Sequence, residues 1–79
     1  MERLMPRNTV ITYAPVNRAE ASTIIRNLTG IEPTWAVRTW QAQRGDWDVM
    51  CCDVPGSPDG RLAVAVYKDC ALVKRMNVI

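Results

Sequence analysis

Histidine does not occur in this 79-residue chain, and its absence removes the commonest general base and the commonest metal ligand together. A triad in its usual form is excluded. Cysteine is sparse and awkwardly placed. Cys51, Cys52 and Cys70 are odd in number and two are neighbours, a poor framework for the disulfides of a small secreted domain. Adjacent strand residues point to opposite faces, so Cys51 and Cys52 cannot jointly grip one ion, and Cys70 alone completes no site. No metal and no cofactor are expected, and the thiols read as small packing residues in a reducing compartment.

Long apolar runs are also lacking. Met1 to Arg7 carry Glu2, Arg3 and Arg7 with no apolar stretch behind them, so neither a signal peptide nor a membrane span is expected, and the expected location is cytoplasmic. Asn27-Leu28-Thr29 matches a glycosylation acceptor only formally, because it falls inside a predicted helix. An excess of one charge is missing too: ten basic and eight acidic residues leave +2, interspersed along the chain, which is too weak to announce nucleic acid. No glycine-rich strand-to-helix turn cradles a phosphate, and the Asp59-Gly60 region lacks the acidic spacing of a calcium loop. Asp46 and Asp48, or Asp53 and Arg61, read as solvated hairpin ends. With so few acids, bases and nucleophiles, the chain is not expected to be an enzyme and no catalytic residue is assigned.

What is present is the material of one compact domain over residues 1–79, with residues 1–7 loosely ordered. A chain this short buries only roughly 60% of the surface its unfolded form exposes, so a large share of side chains must reach the core; a hydrophobic content of 48% can supply them. Asn8 to Ala14 is β-branched and aromatic and stops at Pro15, which predicts a first strand. Asn17 stands three residues before Glu20, the spacing of a capping box, and Ala21, Ile24, Ile25 and Leu28 form one apolar stripe. Gly30 suits a left-handed cap and Pro33 forbids continuation, which places a helix at residues 18–29.

Four further strands are predicted, at about 35–42, 47–54, 61–67 and 71–77. Their separators are a tight turn at Arg44-Gly45-Asp46, a loop from Pro55 to Gly60 and a turn at Lys68-Asp69-Cys70. The Arg-Gly-Asp triplet is read as that turn and not as an adhesion motif. The expected fold is α+β, a single helix on one face of a mainly antiparallel sheet of four to five strands in the order β-α-β-β-β-β.

A two-residue turn at Arg44-Gly45 puts Trp35, Val37 and Thr39 on one face with Met50, Cys52 and Val54. Continued with Leu62, Val64, Val66, Ala71 and Val73, this is the expected core face. The opposite face then carries Arg38, Trp40, Trp47, Val49 and Cys51, followed by Arg61, Ala63, Ala65, Tyr67, Leu72, Lys74 and Met76. Aromatic and basic residues mix there, and one helix cannot cover both faces. Arg38, Trp40, Trp47, Arg61, Tyr67 and Lys74 are therefore the candidate partner-binding residues, since such types dominate binding energy at interfaces. Stacking of Trp40 on Trp47 across the hairpin is the alternative use of those rings.

The function expected from this surface is non-enzymatic protein binding. In general profile the chain is similar to the small inhibitor proteins that phages and mobile elements encode, anti-CRISPR proteins among them. That likeness of size and composition implies a host defence or nucleic-acid-handling complex as the target. Single-strand nucleic-acid binding, with rings stacking bases and arginines meeting phosphates, is the second reading. A structural subunit, homodimeric through the sheet face, is the third.

Overall fold

The computed structural model describes residues 14–79. The first strand predicted over residues 8–14 lies, save for Ala14, outside the described residues, as does the stretch 1–7. Ala14 itself is not in a strand. The remaining elements are one helix, α1 (Arg18–Thr29), and four strands, β1 (Trp40–Arg44), β2 (Trp47–Asp53), β3 (Leu62–Lys68) and β4 (Ala71–Val78). The strands form one antiparallel meander in the order β1-β2-β3-β4.

The helix obeys its local signals. Asn17 accepts a hydrogen bond from the Glu20 amide at 2.8 Å, and the Glu20 carboxylate accepts from the Asn17 amide at 3.3 Å. Two open donors of the first turn are thus satisfied reciprocally. At the other end Gly30 takes φ +77° and its amide donates to the Arg26 carbonyl. Thr29 adds a device not foreseen: its buried hydroxyl donates to the Ile25 carbonyl and accepts from the Ile31 amide at 2.9 Å, fixing the exit of the chain into the core.

Ala21 and Ile25 of α1 are fully buried against the sheet, in a cluster with Ile31, Val49, Cys51, Leu62, Val64, Val66, Met76 and Val78. Val16 closes the layer from the side. Its amide donates to the Asn77 carbonyl and its carbonyl accepts from the Ile79 amide, both at 2.9 Å, in a parallel bridge to Val78. The result is a helix on one face of a four-stranded sheet, a two-layer α+β arrangement.

Three expectations need correcting. The first hairpin turns at Gly45-Asp46, since Arg44 pairs with Trp47; of the two turn residues only Gly45 has a positive φ, at +58°, as a two-residue turn with leading glycine requires. The strand expected at 35–42 begins only at Trp40, because Trp35 leaves the ladder and turns its indole N–H to Ser22 Oγ of α1 at 2.9 Å. The third correction is to the faces. Val49 pairs with Val66 and Cys51 with Val64, so Trp40, Ala42, Trp47, Val49 and Cys51 lie on the core side, while Met50 and Cys52, expected inside, face outward.

The cause is polar. Gln41, Gln43 and Asp48 share the other face of the first hairpin, and burying a carboxylate and two amides under the helix would cost far more than exposing Met50. On β4 the expected core residues Ala71 and Val73 are exposed instead, and Met76 is buried. Here the register shifts between Val66, opposite Lys74, and Tyr67, opposite Leu72. Val73 is the extra residue of a bulge, which moves Met76 and Val78 to the core side.

Candidate functional site

Side-chain alternation assigns the outer face of the sheet row by row. Cys52, Ala63 and Asn77 form one row, Gln41, Met50, Ala65 and Arg75 the next, and Gln43, Asp48, Tyr67 and Leu72 the third. No helix among the described residues packs on this side. Leu72 is 56% exposed and Met50 37%, and the small side chains of Ala63 and Ala65 leave a shallow floor between them. A recess of about 240 Å³ follows that floor, lined by Met50, Cys52, Ala65, Tyr67, Leu72 and Arg75 among others.

Beside it, toward the two hairpin turns, lies a larger recess of about 490 Å³. Trp47, Met50 and Tyr67 give it an apolar wall, and Asp46, Asp48 and Asp69 place three carboxylates around it with no lysine or arginine in its lining. The turns that carry two of these are tied to each other, the Asp69 amide donating to the Asp46 carbonyl at 3.1 Å. Asp48 accepts from the Gln41 amide at 3.1 Å to each oxygen and from Gln43 at 3.5 Å, which holds its carboxylate on the sheet surface.

Of the residues named from sequence, Trp47 and Tyr67 meet at the larger recess and the other four lie elsewhere. Trp40 meets Trp35 edge to face, centroids 5.8 Å apart at 77°, and packs on the core; its indole nitrogen is buried without an acceptor among the described residues. Trp47 also packs on the core, with the Lys68 ammonium 5.2 Å from its ring centroid. The pair therefore supports the inner layer. Arg38 is paired with Asp53 and donates to the Gly60 carbonyl at 2.8 Å, and Arg61 is paired with Asp59 at 2.8 Å. Both arginines brace the 54–61 loop.

In that loop Ser57 and Arg61 hydrogen-bond to Asp59 and hold its carboxyl below the ordinary carboxylate range. Lys74 pairs in register with core-facing Val66 and lines a groove with Val16 and Ile24, on the helix side. Of the six candidates Tyr67 lies on the outer face within β3, Arg61 continues that side just before the strand, opposite Val54, and Trp47 reaches the lining of the larger recess from the core side. Leu72 lies there as the sequence places it, whereas Met50, expected on the core face, joins it; Gln41, Gln43 and Asp48 at alternate positions are the sequence signal for that face.

The chemistry of these groups is limited. Among the described residues no three His, Cys, Asp or Glu side chains are placed to hold a metal ion, and no helix is long and apolar enough to cross a membrane. Cys51, the most deeply set thiol, is pushed above its ordinary pKa, chiefly by burial, the reverse of what a nucleophilic thiolate needs. No protein-family model matches the chain, and neither a curated protein nor a solved structure matches it.

Proposed function

We propose that this protein is a non-enzymatic binding module that presents the outer face of its sheet to a protein partner. The observation that carries the reading is the face itself, which no element among the described residues covers, with Met50, Tyr67 and Leu72 arranged around a floor of alanines. An apolar surface left open next to a polar surround is the ordinary form of a contact site. The adjoining recess, with three carboxylates and an aromatic wall, favours a partner that inserts a lysine or arginine side chain.

The same recess weighs against nucleic acid as the ligand of this face. Asp46, Asp48 and Asp69 would repel phosphates, and the two tryptophans that would have stacked bases support the core. A module of this kind acts by occluding the surface it occupies, and the likeness in size and composition to phage inhibitors makes host defence complexes the first partners to try.

The test is capture from host lysate with the wild-type chain, identification of the retained protein, and affinity measurement with purified components. Tyr67→Ala and Leu72→Asp should weaken the complex by roughly thirtyfold or more, the scale of a hot-spot residue. Arg38→Ala, on the 54–61 loop, should leave it within a factor of about three. Retention of nucleic acid alone, or equal affinities for all variants, would overturn the reading.

A further inference from the structure

The two edges of the sheet differ in how they are protected. Beside β4 the Val16 backbone occupies the end at Asn77 and Ile79, the Val73 bulge interrupts the ladder, and Lys74 and Arg75 add charge. These are ordinary devices against strand pairing. β1 has none of them: Trp40-Gln41-Ala42-Gln43-Arg44 contains no proline, no bulge and no charge before its last residue. Among the described residues no backbone hydrogen bond joins β1 to anything but β2.

Hairpin geometry says which groups are left over. The closing pair of a two-residue turn, here Arg44 and Trp47, exchanges both backbone bonds, and such pairs alternate along an antiparallel ladder. Ala42 and Trp40 therefore point their amides and carbonyls at β2, while Gln41 and Gln43 point theirs away from the sheet.

We infer that β1 is a self-association edge, where a second copy of the chain adds its own β1 antiparallel about a twofold axis at Ala42. The five-residue sequence is complementary to itself in that register. Gln41 faces Gln43 of the second copy and the reverse, so the outward groups of both exchange about four backbone bonds. On the outer face the paired glutamines each offer a donor and an acceptor. Ala42 meets Ala42 of the second copy at a close, non-hydrogen-bonded position where a small side chain is needed.

On the core side Trp40 stands opposite Arg44 of the second copy, a ring facing a guanidinium. The same molecule already uses such a contact between Lys68 and Trp47. One Arg44 nitrogen is held by the Gly30 carbonyl at 3.1 Å, which leaves the rest of the fork available.

A twofold axis perpendicular to the sheet keeps both outer faces on the same side. The dimer thus presents one continuous sheet with two acidic recesses. An edge this short buries less than a standard stable interface, so the dimer forms reversibly with concentration. The inference does not rest on the partner reading, since the edge and the outer face are different surfaces.

Sedimentation equilibrium on the full chain, three variants of β1 and Leu72→Asp tests it. Gln41→Pro removes an outward amide without breaking a bond to β2, and Gln41→Lys with Gln43→Lys sets like charges against each other across the axis. Both should weaken self-association at least tenfold with an unchanged circular dichroism spectrum. Gln41→Lys with Gln43→Glu sets opposite charges in the same positions and should restore it. Should the proline variant not fold, the two charge variants decide. A wild-type chain that stays monomeric up to about 1 mM, the weak limit of specific association, would overturn the inference. So would a dimer indifferent to the β1 variants and lost only in Leu72→Asp, which would place the contact on the outer face.

Discussion

Cys51 and Cys52 are neighbours in the chain that the sheet sends to opposite sides. Cys51 is fully buried between Trp40 and Val64, and Cys52 is exposed on the outer face opposite Ala63. Desolvation raises the Cys51 pKa above its ordinary value of 9.0, helped by Cys52 and Asp53 and opposed by Arg38 and Arg18. The native protein should accordingly expose two thiols, Cys52 and Cys70, to an aromatic disulfide reagent. The third should react only on unfolding, and three fast thiols in the native state would contradict the placement of β2.

The same burial has a pH signature. Well below pH 9 the Cys51 thiol is neutral in both states and contributes no slope. Above it the unfolded chain releases the proton while the folded chain keeps it, so stability falls as pH rises from the ordinary pKa toward the raised one. Urea midpoints for the wild type and Cys51→Ala, compared at about pH 8 and about pH 10, should show a steeper loss in the wild type. Equal losses would mean that the thiol is not desolvated.

The elements that were legible in the sequence are those whose determinants are local. Asn17, Glu20, Gly30 and the Ala21/Ile25 stripe fix the 12-residue α1 from within it and its two caps, and three of the four strands fall within a residue or so of their expected bounds. The face of the first hairpin was not legible in that way. Trp47, Val49 and Cys51 on one side of β2 are about as apolar as Met50, Cys52 and Val54 on the other, so the apolar pattern alone cannot choose. The choice is made by Asp48 with Gln41 and Gln43, which must stay wet, and by the pairing of β2 with β3 across the 54–61 loop. Nor does any residue type announce the Val73 bulge, which sends Met76 inward. Both shifts carry into the candidate site: Trp40, Trp47 and Lys74 fall on the core side, while Tyr67 lies on the outer face.

The turn between β3 and β4 stores a removable strain. Lys68 pairs with Ala71, and the two residues between them, Asp69 and Cys70, have φ of 51° and 67°. Such a turn suits Asn-Gly or Asp-Gly; Asp tolerates the left-handed region, but a cysteine there costs about 1 kcal/mol. Cys70→Gly should therefore raise stability by about that amount, and Cys70→Val should lower it. The comparison is of urea midpoints at constant slope.

At the start of α1 the reciprocal bonds of Asn17 and Glu20 predict that Asn17→Ala costs about 1 kcal/mol, while Asn17→Asp keeps an acceptor and costs little. Thermal unfolding of the two variants side by side measures this. Equal midpoints for both would show that the cap contributes nothing.

Trp40 offers the most direct check of which face is inside. Trp35 stands edge-on to it and is itself tied to Ser22 of α1, so Trp40 is the support on which Trp35 rests between the helix and the sheet. Removing the ring takes away an aromatic contact and opens a void that the short β1 cannot close, and Trp40→Ala should cost about 3 kcal/mol, a large part of the stability of so small a domain. Trp40→Phe keeps the edge-to-face contact and should cost distinctly less. Leu72→Ser, on the exposed outer face, should change stability by no more than about 0.5 kcal/mol. If Trp40→Ala leaves the unfolding midpoint where it was while Leu72→Ser unfolds the chain, the two faces are reversed, and the surface offered to partners is the one that carries the tryptophans.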